Sequence, residues 1–263
     1  PDNAFSQCFS LTFLQLGNSV QEIGSKAFYS CFNLTGTLIL THSLDTLGEA
    51  AFSNCTKLTG VVTISKLLQE IEPYTFFNCF KITGFDFSRN ISTINEYAFY
   101  GCIGLNEINF PNNLTVIKEY AFYNCSKATK ITFTENITDV SEYAFAYTTS
   151  LNDLALLTKM ESISDSTFRY SGMKTIKLPE NLTTINQYAF QYCENLTSVE
   201  FPDKLETIDQ NAFSFCFALR TIQLNENLTT IGNSCFQHCE TLEALQFNEK
   251  LINAPYNGFY CCI

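Results

Sequence analysis

The chain has 263 residues, of which 46% are hydrophobic and 16% are charged, and its formal net charge at pH 7 is −11. This hydrophobic content is too high for a disordered chain. Acidic residues outnumber basic ones by 26 to 15, and Lys and Arg form no cluster, so we expect no nucleic-acid partner. No stretch approaches the roughly 18 uncharged apolar residues of a membrane span, and we therefore expect no direct membrane insertion.

A phenylalanine recurs at a nearly constant interval along the whole chain. The recurring residues are Phe5, Phe28, Phe52, Phe76, Phe99, Phe122, Phe145, Phe168, Phe190, Phe213, Phe236 and Phe259. Successive spacings are 23, 24, 24, 23, 23, 23, 23, 22, 23, 23 and 23 residues, which gives eleven full periods. Such a period predicts a solenoid, because one unit cannot bury its apolar face without stacking on its neighbours.

Each period begins with A-F-x-x-C and contains two further apolar segments. The segment L-x-x-I-x-F, for example Leu196, Val199 and Phe201, ends in alternating apolar residues and predicts a short strand. A turn with Pro or Asn follows, as in Pro111-Asn112-Asn113. In the second segment, L-x-x-I-x-x-x-A-F, the apolar spacing is too irregular for a long helix, and we expect a 3₁₀ or single-turn helix there.

Stacking of the periods should place identical positions in register and pair the strands in one parallel sheet. The two 24-residue periods carry one additional residue before the strand, near Thr35-Gly36-Thr37 and Thr59-Gly60-Val61. A loop or bulge is expected to absorb it without disturbing the core. The chain opens on Pro1-Asp2-Asn3 without a signal peptide, so we interpret residues 1–263 as a single solenoid that is a fragment of a longer protein.

The full pattern L-x-x-I-x-F-P-x-x-L-x-x-I-x-x-x-A-F-x-x-C resembles the leucine-rich repeat of the BspA-like family, over residues 5–262. The resemblance implies a curved leucine-rich-repeat solenoid with a parallel β-sheet on the concave side and short 3₁₀ or irregular segments on the convex side. Family members are mostly cell-surface or secreted proteins of bacteria and protozoa that are implicated in adhesion. This association with function is looser than the association with fold, because repeats are scaffolds and exposed residues set binding.

Ten of the twelve cysteines stand three residues after the repeat Phe and should form one ladder. They are Cys8, Cys31, Cys55, Cys79, Cys102, Cys125, Cys193, Cys216, Cys239 and Cys262. Thr148 and Ser171 take this position in two periods, which indicates a tight, weakly polar niche filled by buried free thiols. Cys235 and Cys261 lie off the ladder near His238, and we expect no metal there, although a disulfide at this end stays open.

Catalysis and cofactor binding have little support in the sequence. The two histidines, His42 and His238, are about eight periods apart, and no nucleophile elbow, dinucleotide motif or P-loop occurs. The recurring Glu96, Glu119 and Glu142 are expected to form a solvated acidic row. Tyrosines recur just before and just after the Ala-Phe pair, and they either stack between coils or form an exposed band that docks a partner.

Residues that flank the central strand position should face outward on the concave side. The candidate binding residues are Phe13, Gln15, Ile39, Val61, Thr63, Asp86, Glu107, Asn109, Lys130, Thr132, Lys177 and Gln223. Most are polar, as expected for a solvated strand face, but Phe13, Ile39 and Val61 would form an apolar cluster. Such a cluster indicates either a protein contact or packing against a preceding segment.

Sequons of the form N-x-S/T recur in the exposed turns and are candidate glycosylation sites in a secreted eukaryotic protein. Those we single out are Asn33, Asn90, Asn113, Asn136, Asn181, Asn195 and Asn227. Two functions fit the sequence: a non-enzymatic surface or secreted adhesion protein that binds a host protein or glycan through its solenoid faces, and an intracellular protein-interaction scaffold. Open strand edges at the ends would also permit end-to-end self-association.

Overall fold

The computed structural model describes residues 1–156, 158–246, 249–251 and 256–262, and within these residues the chain forms nineteen β-strands and no helix. In chain order the strands are β1 Glu22–Ile23, β2 Thr46–Leu47, β3 Gly60–Thr63, β4 Glu70–Ile71, β5 Ile82–Asp86, β6 Thr93–Ile94, β7 Glu107–Asn109, β8 Val116–Ile117, β9 Lys130–Thr132, β10 Asp139–Val140, β11 Leu154–Ala155, β12 Ser162–Ile163, β13 Thr175–Lys177, β14 Thr184–Ile185, β15 Ser198–Glu200, β16 Thr207–Ile208, β17 Thr221–Gln223, β18 Thr230–Ile231 and β19 Ala244–Gln246. Every pairing between strands is parallel and joins successive coils. The expected solenoid is therefore confirmed.

The first side of the solenoid carries the longer strands, and we call it the long-strand side. Its strands form three hydrogen-bonded sheets, β3-β5, β7-β9 and β11-β13-β15-β17-β19. Residues pair with their repeat equivalents, so that Val199 lies between Ile176 and Ile222. Because successive side chains of a strand point to opposite faces, this central residue is buried in strands such as β7, β13 and β17 while its two neighbours face outward. In β5 the central Phe85 is only half-buried.

A second ladder of two-residue strands occupies the segment where a short helix was expected. These strands form the sheets β1-β2, β4-β6-β8-β10 and β12-β14-β16-β18, which we call the short-strand side. The helix prediction for this segment was wrong. A helical turn bonds only within its own coil, whereas an extended pair such as Thr207 and Ile208 bonds to the coils on both sides and still buries its Ile.

The described residues hold nine long strands, so the solenoid has about nine complete coils rather than the eleven periods counted in the sequence. In the second period the long-strand side makes only isolated bridges, Gly36 to Leu58 and Ile39 to Thr63. The additional residue is absorbed here, since Gly36 and Gly60 adopt φ of +87° and +78° and the register shifts between Gly60 and Val61. This confirms the expected bulge.

The segment around each repeat Phe forms the third side, which we call the turn side. Here every second backbone N–H donates to a carbonyl of the next coil. In the coil of Phe99, Tyr97 N donates to Glu119 O at 3.0 Å, Phe99 N to Ala121 O at 2.8 Å and Gly101 N to Tyr123 O at 2.8 Å. This third ladder fixes the register of the Phe with its equivalents above and below.

The turn-side ladder requires two left-handed residues in each coil, at the positions two before and two after the Phe. Tyr97 has φ of 57° and Gly101 has φ of 70°, and the pattern repeats from Asn3 to Cys261. Each of these residues is the third residue of a β-turn, closed by Ala98 N to Asn95 O and by Cys102 N to Phe99 O. A left-handed non-Gly residue costs about 1–3 kcal/mol, which the hydrogen bonds between coils must offset.

The repeat Phe residues form one continuous stack through the interior. Neighbouring rings have centroids 4.8–5.9 Å apart and planes inclined by 5–17°. From Phe28 to Phe236 the rings are buried, so the predicted Phe ladder is confirmed there. The ends differ: Phe5 is 50% exposed, because its ring has a neighbour on one side only, and Phe259 is half-buried.

The cysteine ladder lies beside the Phe stack. All twelve cysteines fall within the described residues and are free thiols. Eight of the ten ladder thiols are buried, as predicted, but Cys8 in the first coil is exposed and Cys262 in the last is half-buried. Each ladder thiol from Cys31 onward donates to the carbonyl of the Phe in the preceding coil, with Sγ···O distances of 3.1–3.5 Å. Burial raises the pKa of these thiols, that of Cys193 to about 12.

The two rungs without cysteine keep the polar character of the niche. Thr148 Oγ1 donates to Phe145 O at 2.9 Å and lies 3.0 Å from Ser171 Oγ, so the two hydroxyls form a hydrogen bond between coils. Of the two cysteines off the ladder, Cys235 is buried next to Phe236 and Cys261 is a half-buried left-handed residue. Both are free.

We expect replacement of Phe122 by Ala to lower the free energy of unfolding by about 3–5 kcal/mol, because the ring is fully buried and stacks on Phe99 and Phe145. Urea unfolding followed by far-ultraviolet circular dichroism measures the loss. Phe5→Ala is the matched control and should cost only about 1 kcal/mol, since that ring is half exposed. Equal losses for the two variants would contradict the Phe stack as the main source of core stability.

Titration of the native protein with a thiol reagent at pH 8 should modify Cys8, Cys261 and Cys262 rapidly and leave the nine buried thiols unmodified until denaturant is added. The reason is that only the thiolate reacts, and burial keeps the ladder thiols both inaccessible and protonated. Rapid modification of all twelve thiols in the folded state would show that the ladder is wetted.

Candidate binding surfaces

The structure places the predicted binding residues on the outer face of the long-strand side. Eleven of the twelve side chains are exposed and Thr63 is half-buried. The exposed ones are Phe13, Gln15, Ile39, Val61, Asp86, Glu107, Asn109, Lys130, Thr132, Lys177 and Gln223. Their orientation follows from the alternation along each strand, which buries the central residue and turns its neighbours to solvent.

Strand register brings these residues together in small groups. Thr63 pairs with Asp86 and bridges to Ile39. In the next sheet Glu107 pairs with Lys130, which places opposite charges side by side. Further along, Lys177 lies next to Glu200, and Gln223 follows it, while Asn109 pairs with Thr132. The face therefore consists of three separate sheets with mixed charge, rather than one continuous surface of a single sign.

The three apolar side chains predicted to cluster are exposed at the N-terminal part of this face, where the register places Ile39 beside Thr63. Phe13, Ile39 and Val61 are 69%, 61% and 49% exposed. In the next coil Val61 pairs with Gly84, which has no side chain. A side chain at that position would contact Val61, since its Cβ would lie 3.5 Å from Val61 Cγ2. Three further phenylalanines that the sequence analysis did not single out are exposed nearby in sequence, Phe9, Phe32 and Phe80. Their signal was a recurring Phe just after the ladder Cys.

The tyrosines of the turn side form two stacked rows, and their ring faces are covered. The first row is Tyr74, Tyr97, Tyr120 and Tyr143, with centroids 4.8–4.9 Å apart. The second row is Phe77, Tyr100, Tyr123, Tyr147, Tyr170, Tyr192, Phe215 and His238, with centroids 4.5–5.0 Å apart. Because each face packs on a neighbour, the rows offer only ring edges and hydroxyls to solvent.

The second tyrosine row changes position between Tyr123 and Tyr147. Tyr123 stands one residue after its Phe and Tyr147 two residues after, and their rings are tilted by 54°. Burial, and then the neighbouring Tyr147 and Tyr100, raise the pKa of Tyr123 to about 12. The sequence spacing did not show that Tyr123 and Tyr147 belong to one row.

The acidic row is only partly solvated. Glu142 is exposed, but Glu96 and Glu119 are half-buried, and Glu96 Oε1 lies 3.5 Å from Lys118 Nζ. Burial, and then the neighbouring carboxylates Glu70, Glu49 and Glu96, raise the pKa of Glu72. These carboxylates lie beside the first tyrosine row, since Glu119 and Glu142 also raise the pKa of Tyr97 and Tyr120.

The residues weighed for metal binding or catalysis are not brought together. In the part of the chain that the structure describes, no group of three or more His, Cys, Asp or Glu side chains is placed to hold a metal ion. His238 Nδ1 lies 3.8 Å from Glu240 Oε1, whereas Cys239 points into the core and donates to Phe213 O. The described residues also contain no helix that could span a membrane.

The sequon asparagines lie in the turns, and several of them connect successive coils. Asn113, Asn181, Asn195, Asn90 and Asn227 are exposed, and Asn33 and Asn136 are half-buried. The amide nitrogens of Asn33, Asn90, Asn136 and Asn227 donate to a carbonyl of the preceding coil at 2.7–2.9 Å. The asparagine thus has a structural role at these turns, which accounts for its recurrence without glycosylation.

Solved structures of bacterial leucine-rich repeat proteins share this fold. A leucine-rich repeat protein from Bacteroides ovatus is 22% identical and superposes with a TM-score of 0.74, covering 100% of this chain and 79% of its own. A leucine-rich cell surface protein from Faecalibacterium prausnitzii is 21% identical, with a TM-score of 0.58 and coverage of 99% and 79%. A leucine-rich repeat protein from T. pallidum is 18% identical, with a TM-score of 0.50 and coverage of 80% and 78%.

The sequence also matches a family model, described as the BspA type leucine-rich repeat region, in overlapping segments at residues 1–90, 69–195 and 161–263. No curated protein matches the chain. Because the matched segments together span the whole chain and the fold agrees, the resemblance seen in the sequence is confirmed: the chain belongs to the BspA-type leucine-rich repeat family.

Proposed function

We propose that the protein is a non-enzymatic recognition or adhesion protein of the cell surface or the secreted fraction, which binds a host protein or glycan through the long-strand side. The observation that carries this proposal is the exposed apolar cluster of Phe13, Ile39 and Val61 within a face that is otherwise polar. A soluble protein rarely exposes neighbouring large apolar side chains on a strand face unless they serve an interaction. The rest of the chain offers a rigid scaffold for that face.

The composition of the face suits a partner of mixed character. The apolar cluster would provide the desolvated centre of the contact, and the neighbouring Thr63, Asp86 and Glu107 would provide a polar margin. Farther along, Lys130 pairs with Glu107 and Lys177 pairs with Glu200. Charges of both signs would determine the orientation of a bound partner and would contribute less to the affinity. The similar protein from F. prausnitzii is a cell surface protein, which supports the proposed location.

An intracellular protein-interaction scaffold is the second candidate, and the thiols that are not buried, Cys8, Cys261 and Cys262, favour it. Accessible unpaired cysteines are unusual in oxidising compartments, where exposed thiols form disulfides. Localisation of the native protein separates the two candidates. Protease treatment of intact cells should degrade a surface protein, whereas a cytosolic scaffold would be protected until the cells are lysed.

Replacement of Phe13, Ile39 and Val61 together by Ser should weaken binding to the partner at least tenfold, because the desolvated centre of the contact is lost. The partner is first identified by screening the native protein against extracellular matrix proteins and a glycan array. The control is Phe9→Ser with Phe32→Ser and Phe80→Ser, which also removes three exposed apolar side chains, 50%, 42% and 38% exposed, but from the turns. Unchanged binding by the first variant would remove the apolar cluster from the binding surface.

If the protein is secreted by a eukaryote, we expect glycans at Asn113 and Asn181 before the other sequons. Both residues are exposed, whereas the amide nitrogens of Asn33 and Asn136 donate to the preceding coil and lie where a sugar would be crowded. Mass spectrometry of native material before and after enzymatic deglycosylation gives the occupancy of each site. A native protein without modification would contradict the glycoprotein proposal.

A further inference from the structure

Three unsatisfied polar atoms gather at one place on the turn side. Within the described residues, four buried polar side-chain atoms make no hydrogen bond: Thr134 Oγ1, Ser166 Oγ, Arg169 Nε and Gln191 Oε1. Two of these atoms, Ser166 Oγ and Arg169 Nε, belong to one β-turn, and Gln191 Oε1 belongs to the neighbouring coil. Ser166 and Arg169 close that turn, with Arg169 N donating to Ser166 O, and Gln191 stands in the next coil at the position of Arg169.

Arg169 replaces a missing ring in the first tyrosine row. Two coils of this row carry Tyr143 and Tyr188, but the coil between them carries Ser166 at the same left-handed position. The guanidinium carbon of Arg169 lies 5.7 Å from the ring centroid of Tyr188 and 5.3 Å from that of Tyr170. The cation thus lies between the two rows, in a notch formed by Ser166, Tyr170 and Tyr188.

The Nε–H of this cation is buried and donates to no acceptor. No carboxylate in the described part of the chain forms an ion pair with Arg169. The nearby Asp165 is engaged elsewhere, because its Oδ1 accepts from Gln187 N at 3.2 Å. Arg169 as a whole is half-buried, so an anion that reaches its guanidinium would supply the missing acceptor.

We propose that the notch of Ser166, Arg169, Tyr170 and Tyr188 binds a carboxylate from an acidic peptide segment of a partner. A planar carboxylate matches the guanidinium edge and accepts two parallel N–H bonds. An acidic sugar fits less well, because a pyranose ring packs on an open aromatic face, and the Tyr170 face is covered by Tyr147 and Tyr192 at 4.5 Å. The site lies on the turn side and is independent of the proposed long-strand contact.

The test uses the three arginine Nε–H signals of the whole chain, from Arg89, Arg169 and Arg220. Titration with a triglutamate peptide at 0.15 M salt, followed by ¹⁵N NMR, should shift the Arg169 signal saturably and leave the other two in place. Triglutamine should bind at least tenfold more weakly. R169Q should abolish the effect and R169K should weaken binding at least fivefold, because lysine keeps the charge but loses the planar pair of donors.

Two variants separate binding from folding. S166Y restores the tyrosine found at this position in neighbouring coils and should exclude the guanidinium from the notch, so that peptide binding falls at least tenfold without a lower Tm. R89Q makes the same change in charge at an exposed turn and should bind as the native chain does. Equal shifts of all three arginines, or unchanged binding by S166Y and R169Q, would overturn the proposal. Tighter binding of trigalacturonate than of triglutamate would assign the notch to an acidic glycan instead.

Discussion

The fixed hydrogen-bonded register between coils is the constraint on which the rest of the structure depends. Three ladders, one on each side of the coil, place every residue against its repeat equivalent. Like residues therefore meet like residues along the whole solenoid. Aromatic rings gain from such contact, since they stack face to face with an offset, whereas like charges repel. This preference explains why rings form continuous rows. On the long-strand side paired charges such as Glu107 and Lys130 are opposite in sign, whereas the acidic row of Glu96, Glu119 and Glu142 repeats one sign.

The same constraint decides where recognition can occur. A regular ladder satisfies its own groups, because each ring face and each backbone donor is used by the neighbouring coil. Ring faces and hydrogen-bonding groups remain without a partner where the repeat pattern is interrupted. The bulge at Gly60 and the bare Gly84 leave Val61 without a matching neighbour, and Ser166 leaves Arg169 without an acceptor. Both proposed surfaces are thus exceptions to the repeat, and neither is a product of its regular positions.

The sequence was sufficient to predict what the repeat dictates: the period, the parallel strands, the Phe stack and the buried thiols. It did not reveal the left-handed turns, because the position that usually takes Gly or Asn is filled by Tyr97, Tyr120 and Tyr143. Their unfavourable backbone is maintained by hydrogen bonds to other coils, which a local reading of the chain does not include. For the same reason the short strands were taken for a helix, and the end residue Phe5 for a buried one.

The thiol ladder bears on the compartment in which the protein works. Each ladder sulfur from Cys31 onward donates to the carbonyl of a repeat Phe. That carbonyl also accepts the N–H that closes the turn of the Phe, as Phe76 O accepts from Cys79 N and from Cys102 Sγ. An Ala in place of Cys would lack this second donor. The ladder thiols are not joined in disulfides. Burial raises their pKa, as for Cys102, and so suppresses the thiolate through which disulfides form. Free thiols in this position are consequently stable in an oxidising environment as well as a reducing one. Their presence is therefore no argument against the surface location that we propose.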